Sequence, residues 1–124
     1  MDKKLAKISS ASLSIQDTGF FTFNIIVDYE EGLSQCIGGI TLDTYCPVKL
    51  TRVGTAYGLE LIRRLLITLG VNDFSEMEGK YLWVLGEESS GGLAFSVKGV
   101  SALNLDKTGT GGLLFDEVLK EFGG

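Results

Sequence analysis

The sequence contains no histidine, so it lacks the side chain most used for proton transfer near neutral pH and for holding zinc, copper or non-haem iron. Most familiar catalytic and metal-binding arrangements go with it. Taken one by one, the residues disclose a fold class and candidate contact sites, not a reaction. No apolar run approaches the roughly 18 residues of a membrane span. Proline occurs once, at Pro47, and cysteine twice, at Cys36 and Cys46. A cysteine nucleophile here would lack its usual base. The opening Met1-Asp2-Lys3-Lys4-Leu5-Ala6-Lys7 is charged and no continuous apolar core follows it, which is not the pattern of a signal peptide. Both cysteines are therefore expected to be inert thiols in a cytoplasmic protein.

What is present fits one globular domain spanning residues 1–124, with 44% hydrophobic and 22% charged residues, well away from disordered compositions. The balance of 11 Lys and Arg against 16 Asp and Glu leaves a net charge of −5. That field repels a phosphate backbone, so no duplex nucleic acid is expected as a partner, although a local basic pocket can still hold a small anion. The 17 glycines cluster near 38–39, 91–92, 109–112 and the C-terminus, where turns and close backbone approaches are expected.

Alternating apolar and polar residues predict a strand over 5–15, then an aromatic and β-branched strand over Phe20–Tyr29 after the Asp17-Thr18-Gly19 turn. A third strand is predicted over Leu33–Leu42, interrupted at Gly38-Gly39. Asp43–Arg52 reads as an ordered loop. Leu59, Ile62, Leu66 and Leu69 then repeat at helical spacing within Thr55–Leu69, and Gly70 sits at the expected stop. Leu61 and Leu65 widen that stripe into a broad apolar arc able to meet a sheet or a second copy of the chain. A turn over Asn72–Gly79, a strand over Tyr81–Leu85, a hairpin loop over 87–92 and a returning strand over 93–100 follow. A glycine-rich connector, 109–112, leads to an amphipathic helix over 113–122. The predicted order βββ-α-ββ-α, dominated by hairpins, is α+β: an antiparallel sheet with both helices on one face.

The polar side of the central helix and the loop before it hold the candidate ligand-binding residues Asp43, Arg52, Tyr57, Glu60, Arg63 and Arg64. Tyr57 and Arg64 lie two turns apart and project the same way, with Glu60 one turn from each. An arginine beside an aromatic stacks on a base and forks onto a phosphate; the plainer alternative is an i,i+4 surface pair. The 109–112 glycines are not a Walker sequence, since no Gly-Lys-Ser/Thr follows. The acidic pairs Glu30-Glu31, Glu76/Glu78 and Glu87-Glu88 fall in predicted turns, and no EF-hand spacing occurs. Tyr81, Trp83, Phe20, Phe21 and Phe23 are strand aromatics whose default role is packing. No cofactor, metal or catalytic residue is assigned.

The segments Gly38-Gly39-Ile40-Thr41-Leu42-Asp43, Arg52 to Arg64 with its run Gly54-Thr55-Ala56-Tyr57-Gly58-Leu59-Glu60, and Gly79 to Val84 resemble a group of small proteins encoded by phages and prophages. Within it the chain is similar to the phage Thoeris anti-defence family, non-catalytic homo-oligomers that sequester cyclic ADP-ribose isomers or related cyclic nucleotides. The likeness covers about residues 20–85, and the last third departs from it. It implies sequestration of an immune signal in the cytoplasm of an infected bacterium. Arg52, Tyr57, Arg63 and Arg64 would contact phosphate and base, with Asp43 and Glu60 orienting arginines or accepting from ribose hydroxyls. Sequestration needs no general base, so the missing histidine is no obstacle. The competing reading is a small acidic phage protein that inhibits a host defence protein by direct binding. Homo-oligomerisation, as a dimer or larger, is expected from the wide apolar arc and from the C-terminal amphipathic helix.

Overall fold

Strand β1, Asp2–Ile15, is long because it serves two neighbours. Its C-terminal part pairs antiparallel with β2, Phe21–Tyr29, and its N-terminal part with β6, Tyr81–Glu88. β3, Ser34–Thr41, β7, Phe95–Ser101, and the two-residue β8, Leu113–Leu114, complete a six-stranded antiparallel sheet in the order β3-β2-β1-β6-β7-β8. The computed structural model describes residues 2–88, 95–103 and 112–123. The predicted loop positions 89–92, the start of the returning strand at 93–94, and the connector glycines 109–111 lie outside the described residues. Register shifts between Ile8 and Ser10, between Thr22 and Asn24 and between Leu85 and Gly86 add local twist, and the sheet curls.

The chain is mixed α/β, but its element order differs from βββ-α-ββ-α. The stretch read as an ordered loop is a second, two-stranded sheet: β4, Asp43–Cys46, pairs with β5, Thr51–Gly54, around Pro47. Four residues a side is too short for an alternation pattern to show in sequence, and the pairing rests on a contact nine residues apart, Arg52 with Asp43. The C-terminal helix α2 begins at Phe115, later than expected, because Leu113 and Leu114 extend the sheet beside Val100 and Gly99. A 3-10 turn, Phe74–Met77, capped by the Asp73 carboxylate, lies within the predicted turn over 72–79.

Helix α1, Ala56–Leu69, starts and stops as its sequence dictates. Thr55 is the N-cap, its hydroxyl accepting from the Gly58 N–H at 2.9 Å, and Gly70 takes the left-handed conformation at the C-cap. The Thr55 hydroxyl also donates to the Leu42 carbonyl at 2.8 Å, and a Cβ at position 58 would overlap that same carbonyl oxygen. Glycine at 58 therefore lets the first turn of α1 press against the backbone that leaves β3. From β1, β2 and β6, residues Ala6, Ile8, Phe23, Ile25, Val27, Leu82 and Val84 join Leu61, Leu65 and Leu69 of α1 and Phe115 and Val118 of α2 in one buried cluster. Phe23 and Phe115 meet edge to face, their centroids 6.2 Å apart.

Candidate functional site

At about 100° per residue, Gly58, Leu61, Leu65 and Leu69 form the buried side of α1, and two flanks run beside it. On one flank stand Tyr57, Glu60 and Arg64. Arg64 Nε donates to Glu60 Oε2 at 2.7 Å and its Nη2 to Glu121 Oε2 of α2 at 3.1 Å, while the guanidinium lies 5.3 Å from the Phe122 ring centroid. The Glu60 carboxylate is the main cause of a raised Arg64 pKa, with Glu121 assisting. Arg63 Nη1 reaches the same Glu60 oxygen at 3.3 Å. Tyr57 is half-buried against the core, and burial, then the charge of Asp116, pushes its phenol upward. These four residues of α1 clasp α2 with opposite charges and a ring rather than wall an open pocket.

Asp43 and Arg52 form a second, separate group at the base of the β4–β5 hairpin. Arg52 grips Asp43 through both carboxylate oxygens, Nε to Oδ2 at 3.0 Å and Nη2 to Oδ1 at 2.9 Å, and Nη2 also donates to the Asp43 carbonyl at 3.1 Å. The Phe21 N–H donates to Asp43 Oδ1 at 3.2 Å. The Arg52 hydrogen bonds hold the Asp43 carboxyl below its ordinary range, with the Phe21 amide assisting against desolvation, and Asp43 in turn raises Arg52. The guanidinium stacks 4.4 Å from the centroid of Phe20. The structure thus brings Glu60, Arg63 and Arg64 together, joins Asp43 to Arg52 elsewhere, and turns Tyr57 inward; each of the three arginines already touches a carboxylate.

The other flank of α1 carries Leu59, Ile62 and Leu66, and beside it lies a groove of about 520 Å³, a size ordinary for small-ligand sites. Its walls are Leu13 of β1, Phe21 of β2, Leu42, the run Gly54–Ala56 with Gly58, and Leu59 and Ile62 of α1. None of the six sequence-chosen residues lines it. Leu59 is 75% exposed, Ile15 73% and Leu13 39%, although their spacing marks them as core positions. That mismatch, an apolar stripe broader than the layer that covers it, was the only signal the sequence offered.

The chemistry of the groove is apolar except where α1 begins. Thr55 satisfies the Gly58 N–H and the Leu59 N–H bonds the Thr55 carbonyl. Among the described residues the Ala56 and Tyr57 N–H groups have no such partner, at the electropositive start of the helix. Gly54 pairs with Asp43 across the hairpin, which sets the Asp43–Arg52 pair beside this end of the groove. Such a site takes a ligand with a flat apolar body and an anionic end.

No arrangement for metal binding competes with it: among the described residues no three Cys, Asp or Glu side chains converge. Cys36 is exposed and Cys46 half-buried, and both are free. Of the acidic pairs, Glu31 and Glu88 each pair with Lys4, at 3.6 and 3.5 Å. Tyr81 and Trp83 stack against Lys7 and Lys3 on the sheet. Among the described residues, no helix is long and apolar enough to cross a membrane. No protein-family model matches the chain, and no curated protein matches its sequence.

Proposed function

We propose that this protein works without catalysis, by sequestering a small anionic ligand in the groove beside α1. The carrying observation is the groove itself: apolar walls running into the donor-bearing start of a helix, with an arginine held ready alongside. A base-like ring fits between Leu13, Phe21, Leu59 and Ile62, and a phosphate suits the Ala56 and Tyr57 N–H groups and Arg52. Asp43 orients Arg52 in this reading. The resemblance to phage proteins supplies the ligand class and the setting, a cyclic nucleotide immune signal in the cytoplasm of an infected bacterium. Native mass spectrometry against cyclic ADP-ribose isomers and cyclic di- and trinucleotides tests it. The expected result is an adduct of unchanged ligand mass; a ligand released with altered mass would show an enzyme instead, and no adduct with any of them would sink the reading.

The second reading, a protein that inhibits a host defence protein by covering it, is favoured by the apolar rim. Ile15, Leu59, Val48 and Leu50 are all more than two-thirds exposed, as side chains at a protein interface are before they bind. Recovery of one stoichiometric host protein, lost on Leu59→Glu, is the outcome this reading expects from a pull-down.

A further inference from the structure

We infer that the groove is half of a site, and that a second copy of this chain closes it, the two grooves facing each other with the β4–β5 hairpin of each copy laid over the other's groove mouth. Four observations converge on this arrangement. The hairpin springs from the groove's own edge, since Leu42 and Gly54, which bracket it, are both wall residues. It carries an uncovered apolar tip: Val48 is 90% exposed, Leu50 76% and Tyr45 53%.

Area is the second observation. Together with Leu13, Ile15 and Leu59, those three side chains expose on the order of 800 Å² of largely apolar surface, the share one partner contributes to a standard interface. The largest apolar patch of a typical monomer is about 300–600 Å². A face-to-face pair would bury the patch twice over, which is what a stable dimer requires.

Backbone geometry gives the third. Leu50 holds a positive φ of 56°, the only described non-glycine residue that does. Glycine or asparagine adopts that conformation at less cost. A leucine there strains the hairpin to present an apolar side chain to solvent, and gains nothing from it until the side chain is covered.

Charge is the fourth. Copies of a chain of net charge −5 repel one another, but Asp43 and Arg52 at the hairpin's base cancel as a pair. Bringing these faces together buries no uncompensated charge there. The pairing stands on exposure, area and backbone geometry alone. Its consequence for ligand binding rests on the sequestration reading: an open groove leaves one side of a ligand in water, whereas tight small-molecule sites bury most of the ligand. The hairpin of the second copy would supply the missing roof.

Sedimentation equilibrium of the full chain without ligand tests the pairing. The wild type is expected to be a dimer at about 100 µM, and Leu59→Glu and Leu50→Glu to raise the dissociation constant roughly 100-fold. Both side chains are exposed, so the variants should keep the wild-type circular dichroism and unfolding midpoint. Leu33→Glu, equally exposed at the opposite end of β2, should leave the dimer intact. A monomeric wild type, or Leu59→Glu and Leu50→Glu chains that associate as tightly as wild type, would overturn the inference. Ligand binding to a monomeric wild type would likewise overturn it while sparing the sequestration reading. A dimer lost in both variants but without any nucleotide adduct would support the pairing and sink the ligand instead.

Discussion

The two flanks of α1 begin from the same helix and end differently. On the Glu60–Arg64 flank, polar side chains are met by α2, through Arg64 to Glu121 and the Phe122 ring. On the Leu59–Ile62 flank, apolar side chains meet a groove and solvent. Charge patterning alone suggests the reverse, with the arginine flank as the place for a ligand and the leucine flank as core. The difference teaches that a polar cluster becomes structural once a neighbouring element supplies its partners, and that an apolar stripe becomes a candidate working surface when no layer covers it.

The largest test of that contrast compares two leucines of α1. Leu61→Ala should destabilise the fold by about 2–5 kcal/mol, as removal of a fully buried leucine does. Leu59→Ala should move stability by no more than about 0.5 kcal/mol, yet weaken self-association and ligand uptake. Urea unfolding beside sedimentation reads both; equal loss of stability at the two positions would mean that the groove flank is buried in solution.

The hairpin offers a smaller effect of opposite sign. Because Leu50 sits at positive φ, Leu50→Gly should raise the stability of the single chain by up to about 1 kcal/mol while loosening the dimer. A variant less stable and still fully dimeric would contradict the role assigned to the hairpin tip.

The smallest effect concerns pH. Asp43 titrates below its ordinary value of 3.8 in the folded chain, so the unfolded chain takes up the proton more readily. The stabilisation from its pair with Arg52 is complete above that value and is lost as pH falls through the folded-state value. Wild type should therefore exceed Asp43→Asn in urea midpoint near neutrality, and the gap should close in acid. A gap that does not change between neutral pH and acid would show that the carboxylate's charge is not what holds the hairpin base.

Much of the fold was legible in the sequence because local signals agree with it. The Leu59–Leu69 spacing and Gly70 bound α1, and the aromatic and β-branched run of 21–29 with its flanking turns marks β2. What was illegible depends on contacts distant in sequence. The β4–β5 hairpin is held by Asp43 and Arg52 across a turn, β8 exists only against Val100 and Gly99, and the curl comes from register shifts that no periodicity records. The candidate site divides the same way. Each of Asp43, Arg52, Glu60 and Arg64 was visible as a residue able to bind, but which partner each would take depends on where the hairpin and α2 dock. Leu13, Phe21 and Leu59 carry the groove, and their sequence signal is the one shared by every core residue; only exposure separates them from Leu61.

That the uncovered flank of α1 is the working surface is tested most directly by native mass spectrometry of wild type and Leu59→Glu against the same set of cyclic nucleotides. The account predicts a wild-type dimer carrying a ligand of unchanged mass, and a Leu59→Glu chain that is folded, monomeric and empty. A ligand retained at full strength by Leu59→Glu, or none taken up by wild type, would contradict it.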